Sequence, residues 1–187
     1  MEKALQQDPT DCLKIVLYGP ESTGKTTLAR SLAAAYNTSW VPEYARDYLQ
    51  KKWETTGEVC NLEDLIHIAQ GQLEEENKAV KSAKKIVFCD TNILVTQLWS
   101  ETHFEGYCDP RIIKWAQSFH YDYYFLTATD IPWEADDLRD RPNHRLAMFN
   151  PFQAKLREKN LPYTVLAGQH EVRMKKAMAQ ITQLLQQ

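Results

Sequence analysis

Four short apolar runs punctuate the chain: Leu13–Tyr18, Ile86–Cys89, Tyr123–Leu126 and Tyr163–Leu166. Each is of strand length and β-branched or aromatic, which predicts strands buried on both faces. A weaker run, Ser39–Pro42, predicts a fifth strand. Between the runs, apolar residues recur every three to four positions, the period of a helix with one buried stripe. Leu28, Leu32 and Ala35 form one such stripe; Leu62, Leu65, Ile66, Ala69, Leu73 and Val80 a second; Met174, Ala177, Met178, Ile181 and Leu185 a third. Asn61 ahead of Leu62, and Asp109 ahead of Pro110, predict helix starts, because a short polar side chain accepts from the first free backbone donors and proline fits the first turn. Strand and helix alternate about five times along the chain, which predicts a three-layer α/β fold with a five-stranded parallel sheet covered by helices on both faces. The stretch Thr127–Asn143 has neither period and carries Pro132, Pro142 and Trp133 among many charges. It predicts a lid segment over about 127–143.

With 187 residues and no internal repeat, linker or shift in composition, the chain predicts a polar N-terminal tail over 1–11 and one domain over 12–187. A formal net charge of -3 offers no whole-protein attraction to nucleic acid or to anionic lipid, so neither is expected as a partner and any phosphate chemistry has to be local. No apolar run reaches the length of a membrane span and the opening residues lack a leader pattern, so a cytoplasmic protein is expected. Cys12, Cys60, Cys89 and Cys108 have no metal or disulfide spacing; Cys12 and Cys89 sit in apolar runs and are expected to be small buried hydrophobes. The five histidines show no zinc-binding spacing either.

One segment carries chemistry outright. Gly19-Pro-Glu-Ser-Thr-Gly24-Lys25-Thr26 fits the phosphate-cradle pattern G-x-x-x-x-G-K-[ST]. It follows the first predicted strand and opens the first predicted helix, where backbone N–H groups and the positive helix end face an anion. The candidate nucleotide-binding residues are therefore Gly19, Glu21, Ser22, Thr23, Gly24, Lys25, Thr26 and Thr27. ATP and Mg²⁺ are the expected cofactors: Lys25 reaches the β and γ phosphates, and the Thr26 hydroxyl ligates the metal. Asp90, closing the apolar strand Ile86–Cys89, is the second candidate for the metal.

Several machines use such a cradle, and the remaining residues choose among them. A base-reading Asn-Lys-x-Asp segment is missing, which argues against GTPases. Motor-type ATPases depend on arginines from partner subunits, whereas this chain has Arg139, Arg141 and Arg145 in its own irregular stretch. Arg139 and Arg141 are candidates for neutralising charge on a transferring phosphoryl group. In parallel sheets ligands gather beyond the carboxyl ends of the strands, which puts the acceptor site near Trp40-Val-Pro-Glu43-Tyr44-Ala-Arg46. Glu43 could accept the proton of a substrate hydroxyl or hold a ribose, and Arg46 could orient Glu43 or a phosphate. Trp40 and Tyr44 offer flat faces to an aromatic ring. This pattern predicts a small-molecule kinase; its rival is a regulatory ATP-binding module that transfers no phosphate.

Gly19–Thr26, Glu43-Tyr-Ala-Arg46, Asp90-Thr91 and Trp133-Glu-Ala-Asp-Asp-Leu-Arg139 together resemble the ribosylnicotinamide kinase domain of the bacterial NAD-biosynthesis proteins NadR. The resemblance runs from about residue 12 to the end. It implies a P-loop kinase fold and ATP-dependent phosphorylation of the ribose 5′-hydroxyl of nicotinamide riboside, with the nucleoside as the small-molecule partner. It also implies that Trp133 joins Trp40 and Tyr44 around the cationic pyridinium ring. Where that family tends to carry Trp directly before Glu-Tyr, this chain has Pro42 and keeps Trp40 two residues earlier. The activities of the other NadR domains are not expected from these residues.

Overall fold

The computed structural model describes residues 5–134 and 145–186. Five parallel strands form a single sheet: β1 (Leu13–Tyr18), β2 (Trp40–Val41), β3 (Ile86–Asp90), β4 (Tyr123–Thr127) and β5 (Tyr163–Leu166), in the order β2-β3-β1-β4-β5. The four strong runs become strands within one residue of their expected bounds. The weak one keeps only two residues, paired as Trp40↔Phe88 and Val41↔Cys89.

Alternate side chains of each strand serve opposite layers. Ile15, Leu17, Phe88 and Phe125 point toward α1 (Lys25–Tyr36) and α7 (His170–Leu184), meeting Leu28, Leu32, Ala177 and Ile181. Val16, Tyr18, Val87, Cys89 and Leu126 point the other way, into a larger core built with α3 (Leu62–Ser82), α4 (Ile93–His103), α5 (Pro110–Ser118) and α6 (Arg145–Glu158). α2 (Tyr44–Thr56) packs on α3 and contains no fully buried residue.

The two expected helix starts are present. Asn61 and Asp64 form a reciprocal capping box, and Asp109 accepts from Arg111 N–H with Pro110 in the first turn. Residues 5–11 form neither helix nor strand, yet they are fastened. The Gln7 side chain donates to Glu76 at 2.7 Å and accepts from His120 N–H at 2.7 Å. Cys89 and Cys108 are buried; Cys12, just before β1, is only half-buried. Among the described residues no helix is long and apolar enough to cross a membrane.

Parallel register then sets the site. Leu17 pairs with Asp90, and Tyr18 with Leu126. The chain segments leaving β1, β3 and β4 therefore emerge side by side at the carboxyl edge of the sheet, where ligands of such folds collect.

Candidate functional site

The cradle is a backbone object. Gly19 has φ +145° and lies so close to β4 that a Cβ would meet Thr127 Oγ1 at 2.6 Å and the Thr127 carbonyl oxygen at 3.0 Å. Only glycine allows both. Gly24, at φ +81°, turns the chain into α1. The loop between them is tied down by Thr23, whose Oγ1 donates to Pro20 O at 2.8 Å and shares a 2.6 Å hydrogen bond with Thr127 Oγ1. Lys25 Nζ also donates to Pro20 O, at 2.7 Å, so its charge rests on the loop it serves.

Thr26 in the first turn of α1 and Asp90 at the end of β3 meet, with Thr26 Oγ1 donating to Asp90 Oδ2 at 2.5 Å. The other carboxylate oxygen, Oδ1, is buried and has no hydrogen-bond partner among the described residues. Burial pushes the Asp90 carboxyl up to about 7, and the charge of Glu43 adds to this; Lys25, the Thr26 hydroxyl and Arg46 pull it back. A buried carboxylate oxygen with spare lone pairs beside a hydroxyl is a donor set for a hard divalent cation, so these residues fit Mg²⁺. Among the described residues no group of three His, Cys, Asp or Glu converges elsewhere for a metal.

A cavity of about 360 Å³ extends from the cradle, a volume typical of small-ligand clefts. Glu21, Ser22, Thr23, Thr27, Glu43, Arg46 and Trp133 line it with Lys25 and Thr26. The start of the irregular stretch lies over the cradle, with Glu134 N–H donating to Ser22 Oγ at 2.9 Å. Two expected aromatics are placed otherwise. Trp40 faces the α1–α7 layer, because in β2 it is Val41 that turns toward the layer holding the cavity. Tyr44 lies flat against α3, where a Cβ on Gly71 would come within 2.2 Å of its ring, and it does not line the cavity. Arg139 and Arg141 lie outside the described residues.

A family model described as AAA domain matches residues 14–173. The chain belongs to that family of P-loop proteins. It is 31% identical over 151 residues to the trifunctional NAD biosynthesis/regulator protein NadR of Salmonella typhimurium strain LT2, covering 80% of this chain and 37% of the relative. The chain thus spans little more than a third of that relative's length. Its fold is similar to a crystal structure of NadR protein in complex with NR, with a TM-score of 0.75 at 20% identity, covering 92% of this chain and 51% of the other. A deoxyadenosine kinase from M. mycoides has a TM-score of 0.68 at 10% identity, and the match covers 91% of this chain and all of that one. The fold is that of the P-loop kinases.

The sequence did not single out the residues that replace the two displaced aromatics. In this AAA-domain chain the far wall of the cavity is Leu65 and Ile68 of α3, Trp99 of α4 and Phe152 of α6. Trp99 is held by His103, a lining residue too, whose ring stacks on it at 3.8 Å and 11°. Gln72 was also unforeseen. It is buried on α3, accepts from Tyr44 N–H at 2.9 Å, donates to Pro42 O at 3.3 Å, and so fixes the turn that carries Glu43. A signal for Trp99 does exist: Asn92 two residues after Asp90 is a helix cap, and it accepts from Val95 N–H. The apolar run behind it starts at the carboxyl edge of the sheet. Cys60 lines the cavity too, but burial pushes its thiol up to about 12 and makes it a poor nucleophile at neutral pH.

Proposed function

We propose that the chain is an ATP- and Mg²⁺-dependent kinase of a small nucleoside, and that the nucleoside is nicotinamide riboside, phosphorylated at its 5′-hydroxyl to the mononucleotide. One observation carries this reading: the cradle and an aromatic, apolar compartment are two ends of the same cavity, and Glu43 and Arg46 lie in its lining. A nucleotide sensor needs the first end alone. The likeness to NadR, one structure of which holds NR, supports the choice of nucleoside.

Each residue then has a task. Lys25 exchanges the Pro20 carbonyl for the β and γ phosphate oxygens. Thr26 and Asp90 would hold the metal, which would supply positive charge against the charge that develops on the phosphates. Glu43 accepts a hydrogen bond from the acceptor hydroxyl and aims its oxygen at the γ-phosphorus; a loose transition state asks for positioning more than for a strong base. Arg46 compensates the crowding of Glu43 and Asp90, whose mutual repulsion is already visible at Asp90. Trp99 and Trp133 supply the faces for the pyridinium ring, and stacking a cation on indole is worth about 0.5–2 kcal/mol over a neutral base.

Phosphate transfer to a panel of nucleosides at equal concentration tests the proposal. Nicotinamide riboside should be the fastest acceptor, ahead of uridine, cytidine and the deoxynucleosides, and Trp99→Ala should narrow its lead. A neutral nucleoside that outpaces it would replace the substrate while keeping the kinase. ATP turnover indifferent to every nucleoside would replace the kinase with the regulatory module.

A further inference from the structure

Arg173, in the first turn of α7, is 2% exposed and has no part in the chemistry above. All three nitrogens of its guanidinium donate hydrogen bonds. Nε donates to Gly168 O at 2.8 Å and Nη1 to Thr23 O at 2.7 Å; Nη2 donates to Ala128 O at 3.1 Å and to the Asp130 carboxylate. The second oxygen of Asp130 accepts from Gly168 N–H at 2.5 Å. One buried cation therefore joins three segments that leave the sheet at the same edge: the cradle, the root of the irregular stretch after β4, and the turn between β5 and α7.

The bond to Thr23 matters most. In a trans peptide the carbonyl and the following N–H point in opposite directions. Because Arg173 draws the Thr23 carbonyl outward, the Gly24 N–H is turned to the other side, and a positive charge on the carbonyl oxygen makes that N–H a stronger donor. Gly24 is confined from both sides: a Cβ there would lie 3.8 Å from Arg173 Nη1 and 3.3 Å from Ile131 Cδ1. Among the cradle's peptides this is the one at the positive end of α1, where an anion is best received.

We infer that Arg173 is a positioning residue for the nucleotide, holding and polarising the Thr23–Gly24 peptide from behind the cradle while fixing to it the segment that leaves β4. A merely structural brace would be expressed in stability alone. A positioning residue is expressed in ATP affinity and turnover, and leaves the affinity for the acceptor where it was. The inference rests on reading the cradle as an ATP site.

The test compares the wild type with Arg173→Lys and Asp130→Asn, each checked for a cooperative thermal transition. Lys keeps the charge but has no planar fork to serve the separate acceptors. Asp130, with a side chain 41% exposed, can be changed without opening the core. ATP dissociation constants are measured by titration calorimetry, and KM for the acceptor and kcat from initial rates. Arg173→Lys should weaken ATP binding about tenfold, the scale of one charge-assisted hydrogen bond, and lower kcat, with KM for the acceptor within about twofold of wild type. Asp130→Asn should shift the same two quantities in the same direction by less. If the folded variants bind ATP as the wild type does, or if Arg173→Lys does not fold and Asp130→Asn binds ATP normally, Arg173 is a structural brace and the inference is wrong. If the wild type itself binds no ATP, the reading of the cradle fails first and takes the inference with it.

Discussion

The Lys25 ammonium lies 2.7 Å from the Pro20 carbonyl and is nearly buried, so the cradle holds its charge ready before any phosphate arrives. Its removal leaves a polar loop with one carbonyl less satisfied and opens no cavity in either core. Lys25→Ala should lower turnover by about a hundredfold or more, as transition-state charge contacts do, while the free energy of unfolding changes by about 1 kcal/mol or less. Initial rates and urea unfolding on the same preparation check both halves. The cradle was legible in the sequence residue by residue because its geometry depends on a few special positions, glycine at 19 and 24 above all. Trp40 and Tyr44 were not, because chain proximity to Glu43 says nothing about which side of a two-residue strand a ring takes. The pleat turned Trp40 away and Gly71 gave Tyr44 a slot on α3.

Helices were legible where one stripe is buried and unreadable where burial is more even. α1 and α3 carry the expected periods, but α4 buries Ile93, Leu94, Thr96, Gln97, Leu98 and Ser100, a spread that leaves no polar face to mark the period. α2 is the opposite case, with nothing fully buried; it is held in place by α3. Asp64 caps α3 by accepting from Asn61 N–H at 2.7 Å, and also accepts from Lys52 Nζ at 2.6 Å and Tyr48 Oη at 2.9 Å on α2. Burial alone would raise the Asp64 carboxyl, but Lys52, the Asn61 N–H and the Tyr48 hydroxyl outweigh it and hold the group below the usual carboxylate range. A folded-state pKa below the unfolded value of about 3.9 means stability that is fully present above that value and is lost as pH falls through the folded one. Asp64→Asn should therefore cost about 1–3 kcal/mol at pH 7, and the gap to wild type should close toward pH 3. Denaturant midpoints for the pair at both pH values decide it; a gap that does not depend on pH would mean that the carboxylate charge contributes nothing.

Across the whole molecule the parallel sheet separates two ends. Strand order and the two-sided core follow from the apolar runs, which is why the architecture was legible, and the carboxyl edge collects Gly19, Asp90 and Thr127 for the site. The opposite edge holds a buried polar network that no pattern announced, because its members come from three distant stretches. Lys14 Nζ donates to Glu76 at 3.2 Å, Tyr121 Oη to the other carboxylate oxygen at 2.9 Å, and Gln7 adds a third donor. Burial pushes the Glu76 carboxyl up, and Lys14, Tyr121 and Gln7 offset this only in part. Such a network is costly to break and cheap to replace entirely. Glu76→Ala strands a buried ammonium and a buried hydroxyl, and should destabilise the fold by about 3–5 kcal/mol. Adding Lys14→Met and Tyr121→Phe removes the stranded groups and should recover most of that loss. Both proteins, assayed well below their melting temperatures, should keep kcat/KM for ATP and acceptor within about twofold of wild type, since no residue of the network lines the cavity. Loss of turnover in the restabilised triple variant would show that the two ends of the sheet are coupled, and that the network belongs to the site after all.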